Sequence, residues 1–141
     1  MHLTNRFNRY AVLSATAVTM SLLLYGCGES RVSQCNKIIT VANKSTALTI
    51  PKDISGLGIL ADNIDQVRTE VQAIAVQDSN LKESQTQLLG MYGDVSQSLK
   101  AEAKATESKD KNALEKAKGE LDAAVSKESD IVDRLNTLCT K

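Results

Sequence analysis

Between Leu57 and Leu99 apolar residues recur at alternating steps of three and four. One series reads Leu57, Ile64, Val71, Tyr92 and Leu99, broken by Asp78 and Gln85; the other reads Leu60, Val67, Ile74, Leu81, Leu88 and Val95. Such a heptad seam belongs to a helix that buries one narrow stripe against partner helices. Two places could interrupt it. Asp78-Ser79-Asn80 is a run of weak helix formers, with Asn80 and Glu83 spaced as a capping box, and Gly90 and Gly93 each oppose the helix by about 1 kcal/mol. The heptad phase nevertheless passes through both places unchanged. The pattern therefore predicts one long helix, capped by Asp53 or Ser55 and running to about Ala105, a rod of about 75 Å. Asp78 and Gln85 could set register, but are read first as the point where partner helices end and solvent begins.

The flanking segments predict shorter helices. From Ser30 to Thr46, Val32, Cys35, Ile39 and Ala42 repeat at helical spacing, with Ile38 and Val41 widening the stripe. Ala47 to Ser55 breaks the pattern at Pro51, and Leu48, Ile50 and Ile54 are placed to cover the end of a bundle. Gly56-Leu57-Gly58 lacks the further glycines and lysine of a phosphate loop and eases the start of the long helix. A polar turn at Thr106 to Lys111 precedes a last helix, with Asn112 and Glu115 as a capping box. Its stripe is Leu114, Ala117, Leu121, Ala124, Ile131, Leu135 and Leu138, and it ends near Cys139. Val125 and Val132 widen that stripe, which calls for more than one partner helix. The expected fold is all-α, an antiparallel coiled-coil-like bundle over residues 31–141 with one long central helix and two shorter flanking helices. The alternative is an up-down-up-down four-helix bundle with a turn at 78–80.

The N-terminal segment has a different character. Arg6 and Arg9 precede Ala11 to Leu24, an uncharged, largely apolar run of about fourteen residues, which is the layout of a secretory signal and shorter than the roughly twenty residues of a membrane span. The run ends in Leu24-Tyr25-Gly26-Cys27, which resembles the lipobox of bacterial lipoproteins; Tyr25 departs from the small or β-branched residue usual at its position. The resemblance implies a signal peptide over 1–26, a lipid-modified Cys27 as the first mature residue and a short tether over 27–30. It also implies attachment to membrane lipid at the extracytoplasmic face of a bacterial membrane, stable once two or more acyl chains are present. Gly28 in place of Asp after the lipidated cysteine implies the outer membrane where the enterobacterial sorting rule applies; a plasma or thylakoid membrane stays open as the alternative. Ser33-Gln34-Cys35-Asn36-Lys37 and the helical body resemble small helical lipoproteins of cyanobacteria. With Cys27 acylated, Cys35 and Cys139 are the remaining thiols of an exported protein, and a disulfide between them is expected. The alternatives are two buried free cysteines or a redox pair, the latter disfavoured by the absence of C-x-x-C spacing.

Composition narrows the chemistry. The chain is 3% aromatic and 24% charged, and its single histidine is His2. The part after Gly26 thus lacks the usual general base and commonest metal ligand, so no catalytic residue, metal or cofactor is expected. Charge is balanced at 17 basic and 17 acidic residues; without Arg6 and Arg9 it is 15 against 17, which leaves no basic footprint for nucleic acid. Glu107 with Lys111 and Asp130 with Arg134 have the spacing of surface i,i+4 pairs, and Tyr92 is expected in the core with its hydroxyl at the margin. The functional expectation is a non-enzymatic interaction or structural module with an undefined protein partner. The alternative is a carrier of a small apolar ligand in a cavity lined by Ile64, Val67, Val71 and Leu121.

Overall fold

A computed structural model describes residues 28–140. The signal segment and Cys27 therefore lie outside the described residues. The helices are α1 (Arg31–Thr46), α2 (Ser55–Gln72), α3 (Ser79–Glu107), α4 (Lys111–Val125) and α5 (Glu128–Cys139). The all-α bundle agrees with the sequence pattern. α3, at 29 residues and about 43 Å, is the axis, and every other helix packs on it.

The arms alternate in direction. α2 returns along α3, as Gln85 reaches Val71 while Lys100 reaches Asp62 and Asp65. α4 and α5 descend the other side, with Lys127 on Asp94 and Arg134 on Glu83. α1 runs antiparallel to α2, from Gln34 at Gln77 to Lys44 at Glu70. The result is the up-down-up-down arrangement, with Gly28, the α2–α3 turn and Thr140 at one end. α4 and α5 form a single bent arm, since Ser126 (φ −60°, ψ −20°) and Lys127 (φ −76°, ψ −18°) stay helical between them.

The single long helix expected from the seam is overturned. The chain leaves helix at Ala73 and re-enters at Ser79, so the turn lies mostly before the 78–80 site. The physical reason is a set of polar groups that take over the backbone there. Asp78 is the N-cap of α3 and accepts from Leu81 N at 2.9 Å, while Gln85 Nε2 donates to the carbonyls of Val71 (2.8 Å) and Ile74 (2.9 Å) at the end of α2. The six residues 73–78 are not helical, while the apolar positions on either side of them keep the three-four spacing of the seam in sequence.

Gln85 is thus 8% exposed and structural, not a residue facing solvent where partners end. Gly90 and Gly93 are accommodated within α3 without a break. The N-cap of α2 is Ile54, which makes no side-chain cap bond, rather than Asp53 or Ser55. Asp53, one residue earlier, accepts from Gly56 N at 3.2 Å, and a Cβ at Gly56 would overlap Pro51, so glycine lets the α1–α2 connection fold against the helix start. The last arm begins two residues earlier than the Asn112–Glu115 signal: Asp110 is the cap, accepting from Ala113 N at 3.0 Å. Arg134 pairs with Glu83 across helices, and Glu107 and Lys111 are parted by the α3–α4 turn.

The main core lies in the half of the bundle nearest the α2–α3 turn. Ile38, Ile64, Val67, Val71, Leu81, Leu88, Met91, Tyr92, Ile131 and Leu135 pack there around Cys35. α1 turns a slightly different face inward than its stripe suggested: Gln34, Cys35 and Ile38 are buried, whereas Val32 is 48% exposed. α4 buries only Ala117 and Ala124.

Candidate functional site

The most elaborated part of the molecule is the end where the described chain begins. Ser30 caps α1, its Oγ accepting from Ser33 N at 3.2 Å. That start of helix positions Gln34 one turn on, where its side chain is 2% exposed and fully engaged. Gln34 Nε2 donates to the Glu29 carbonyl at 2.7 Å, and Gln34 Oε1 accepts from Gln77 N in the α2–α3 turn at 2.8 Å. Glu29 is held a second time through its carboxylate, 2.7 Å from Lys37 Nζ and bonded to Ser33 Oγ. The Lys37 contact, then the Ser33 hydroxyl, keep that carboxyl below the usual glutamate range. Gly28 is exposed beside this turn, and a Cβ there would come within 2.7 Å of Oε1 at the flexible end of the Gln77 side chain.

Cys35 and Cys139 close the same end. Their Cα atoms are 5.6 Å apart and their sulfurs are bonded, tying α1 to the end of α5 across 104 residues of sequence. The sequence brought these two residues forward as a pair, and the structure joins them. It did not bring forward Gln34 and Gln77, which fasten the start of the described chain to the α2–α3 turn. A glutamine at position 34 sharing a face with Ile38 and Val41 is the signal that was there to find, since an uncharged amide on an apolar stripe has to be satisfied by hydrogen bonds.

Elsewhere the surface carries open grooves, of which two border the apolar core. One, about 490 Å³, runs between α3 and α5 over Met91 and Ile131 and is rimmed by Asp94–Lys127 and Arg134. The other, about 380 Å³, lies where the bend of the last arm parts from α1 and its connection. Leu48, Ile50 and Val125 form its sides and Tyr92 its floor. The Tyr92 hydroxyl lies 3.1 Å from Ser45 Oγ, and burial pushes its pKa upward. Ile64, Val67 and Val71, expected to line a ligand cavity, are buried in the core, and Leu121 sits on α4, which packs on α3. Of these four residues only Ile64 borders the second groove.

Chemical groups on the surface form ion pairs. Lys100 lies between Asp62 and Asp65, at 3.2 and 2.7 Å; it holds the Asp65 carboxyl below its usual range, and its own pKa is raised. Among the described residues no cluster of three His, Cys, Asp or Glu side chains could hold a metal ion, and no helix is long and apolar enough to cross a membrane. Fold and site together define a disulfide-closed, up-down-up-down all-α bundle with a clasped N-terminal end. No family model, curated protein or solved structure matches the chain.

Proposed function

We propose that this chain is an extracytoplasmic lipoprotein, attached to a bacterial membrane by lipid on Cys27, whose bundle acts as a non-enzymatic interaction or structural module. The sequence support is Arg6 and Arg9, the uncharged run Ala11 to Leu24, and Leu24-Tyr25-Gly26-Cys27. The observation that carries the reading is the position of Gly28. It lies beside the α2–α3 turn at the disulfide end, so an anchor on the preceding residue leaves the far end of α3 and α4 free for contact with other molecules. Intact mass of the chain extracted from membranes tests this. The expected species starts at a diacylglyceryl-modified Cys27 and is two hydrogens lighter for the disulfide; an unmodified chain beginning at Met1 overturns it.

A second reading, a carrier of a small apolar ligand, is favoured by the groove at Leu48, Ile50 and Val125, where Ile50 is 81% exposed. Titration with a fluorescent fatty-acid analogue tests it. Saturable binding that Ile50→Asp abolishes supports the carrier, and binding that is absent or indifferent to this change rejects it.

A further inference from the structure

We infer that the clasp at the start of the described chain holds the bundle upright on its anchor, so that the α3–α4 turn stands at a set height above the lipid surface. This rests on the lipid-anchor reading. A domain on a flexible linker samples many orientations, because slack residues let it rotate and lie down on its longest side. Here Gly28 is the one residue between Cys27 and the chain that is bonded to the bundle. Glu29 is bonded through both its carbonyl and its carboxylate, and Ser30 already caps α1. Gln34 carries the load from both sides, receiving the tether at the Glu29 carbonyl and passing it to the Gln77 amide. Arg31, 3.9 Å from Asp78, adds a longer contact between the same two segments.

A lipid on Cys27 is therefore separated by Gly28 alone from Glu29, which is fixed to the bundle end. That end is formed by the α2–α3 turn and the close of α5, a face about 20 Å across for helices packed 8–10 Å apart. With the anchor only two residues before Glu29, the face bears on the headgroups and resists tilting. α3 starts at this face and carries its C-terminal end, with the turn at Ser108–Asp110, about 43 Å away. The inference makes the protein a stand of defined height, and its contact surface the part of α3 and α4 remote from the membrane.

Neutron reflectometry of the full acylated chain on a supported bilayer of phosphatidylethanolamine and phosphatidylglycerol measures that height. The expected protein layer extends about 45 Å or more from the headgroups. A layer about half as thick, the bundle lying on its side, overturns the inference while leaving the anchor intact. Twelve Gly/Ser residues inserted between Cys27 and Gly28 add slack without touching the bundle and are expected to thin and blur the layer; an unchanged profile overturns the role of the clasp. ¹⁵N relaxation of the full chain in micelles gives a second reading: Glu29 and Ser30 as rigid as α1 support the clasp, and mobile ones overturn it. Loss of the protein layer in a salt wash overturns the anchor itself and the upright stand with it.

Discussion

At the end that carries Cys35 and Cys139, four chain segments are cross-connected by a disulfide, by Gln34 and by Gln85 over a core of Ile, Leu and Val side chains. At the opposite end α3 and α4 continue as a pair beyond the start of α2, with Ala105 and Ala117 as their buried apolar residues. The first region is held by contacts between residues far apart in sequence. The second is a local hairpin, closed by backbone bonds at its turn. Lys109 adopts φ 56°, its N–H bonds Thr106 O at 3.1 Å, and Asp110 N–H bonds Ala105 O at 2.9 Å, which is a Schellman motif with lysine where glycine is usual. The two ends show that one periodic pattern can serve two kinds of stability, one tertiary and one local.

The largest way to test this contrast is to open the disulfide. Reduction, or Cys35→Ala with Cys139→Ala, is expected to remove about 4 to 5 kcal/mol, the chain-entropy value for a loop of this length. Denaturant unfolding with and without reductant measures it. Hydrogen exchange in the same samples is expected to accelerate in α1 and α5 and to change least at the α3–α4 turn. Equal acceleration at both ends would remove the distinction.

Gln85→Leu comes next. It keeps apolar volume in the core but takes the donor from the Val71 and Ile74 carbonyls, and a loss of about 1 to 3 kcal/mol is expected from leaving buried acceptors unpaired. A stability within 0.3 kcal/mol of wild type, as an estimate of about the measurement error, would mean that other groups close the end of α2.

The hairpin should respond to local backbone changes of opposite kind. Lys109→Gly relieves a left-handed residue and is expected to stabilise by about 1 kcal/mol. Gly119→Ala adds a Cβ into open space in mid-helix and is expected to gain slightly less, at most about 1 kcal/mol. Thermal melts of each variant serve as the measurement, and destabilisation by either would contradict the local description of this end.

The smallest effects are expected from pH. Glu29, Asp53, Asp65 and Glu70 have native pKa values lowered by hydrogen bonds, the first-ranked donors being Lys37, Ser55, Lys100 and Lys44 respectively. Their contribution is complete above the ordinary values of 3.8 for Asp and 4.5 for Glu and is lost as pH falls through the lower native values. Tyr92, raised by burial, and Lys100, raised by Asp65, act in the other direction: their contribution is complete below their ordinary values of 10.0 and 10.5 and is lost above them. A stability plateau between these limits is expected in unfolding curves. A maximum confined to acidic pH would contradict the lowered carboxylates.

The sequence by itself determined which faces are apolar. Ile64, Val67, Val71, Leu81 and Leu88 follow from three-four spacing, because a helix buries whatever recurs on one side of it. It also determined the pair Cys35 and Cys139, since so few thiols leave little choice, and the breaks at Pro51 and near Ser108. Only the tertiary structure decided that the seam is two helices. The reversal over residues 73–78 lies inside an unbroken apolar spacing of the sequence, and the groups that stabilise it, Gln34 and Gln85, come from 43 and 11 residues away from the backbone atoms they bond at Gln77 and Ile74. The clasp was hidden for the same reason. Periodicity records which side of a helix is buried, whereas where the chain turns depends on which distant side chain satisfies the backbone that the turn exposes.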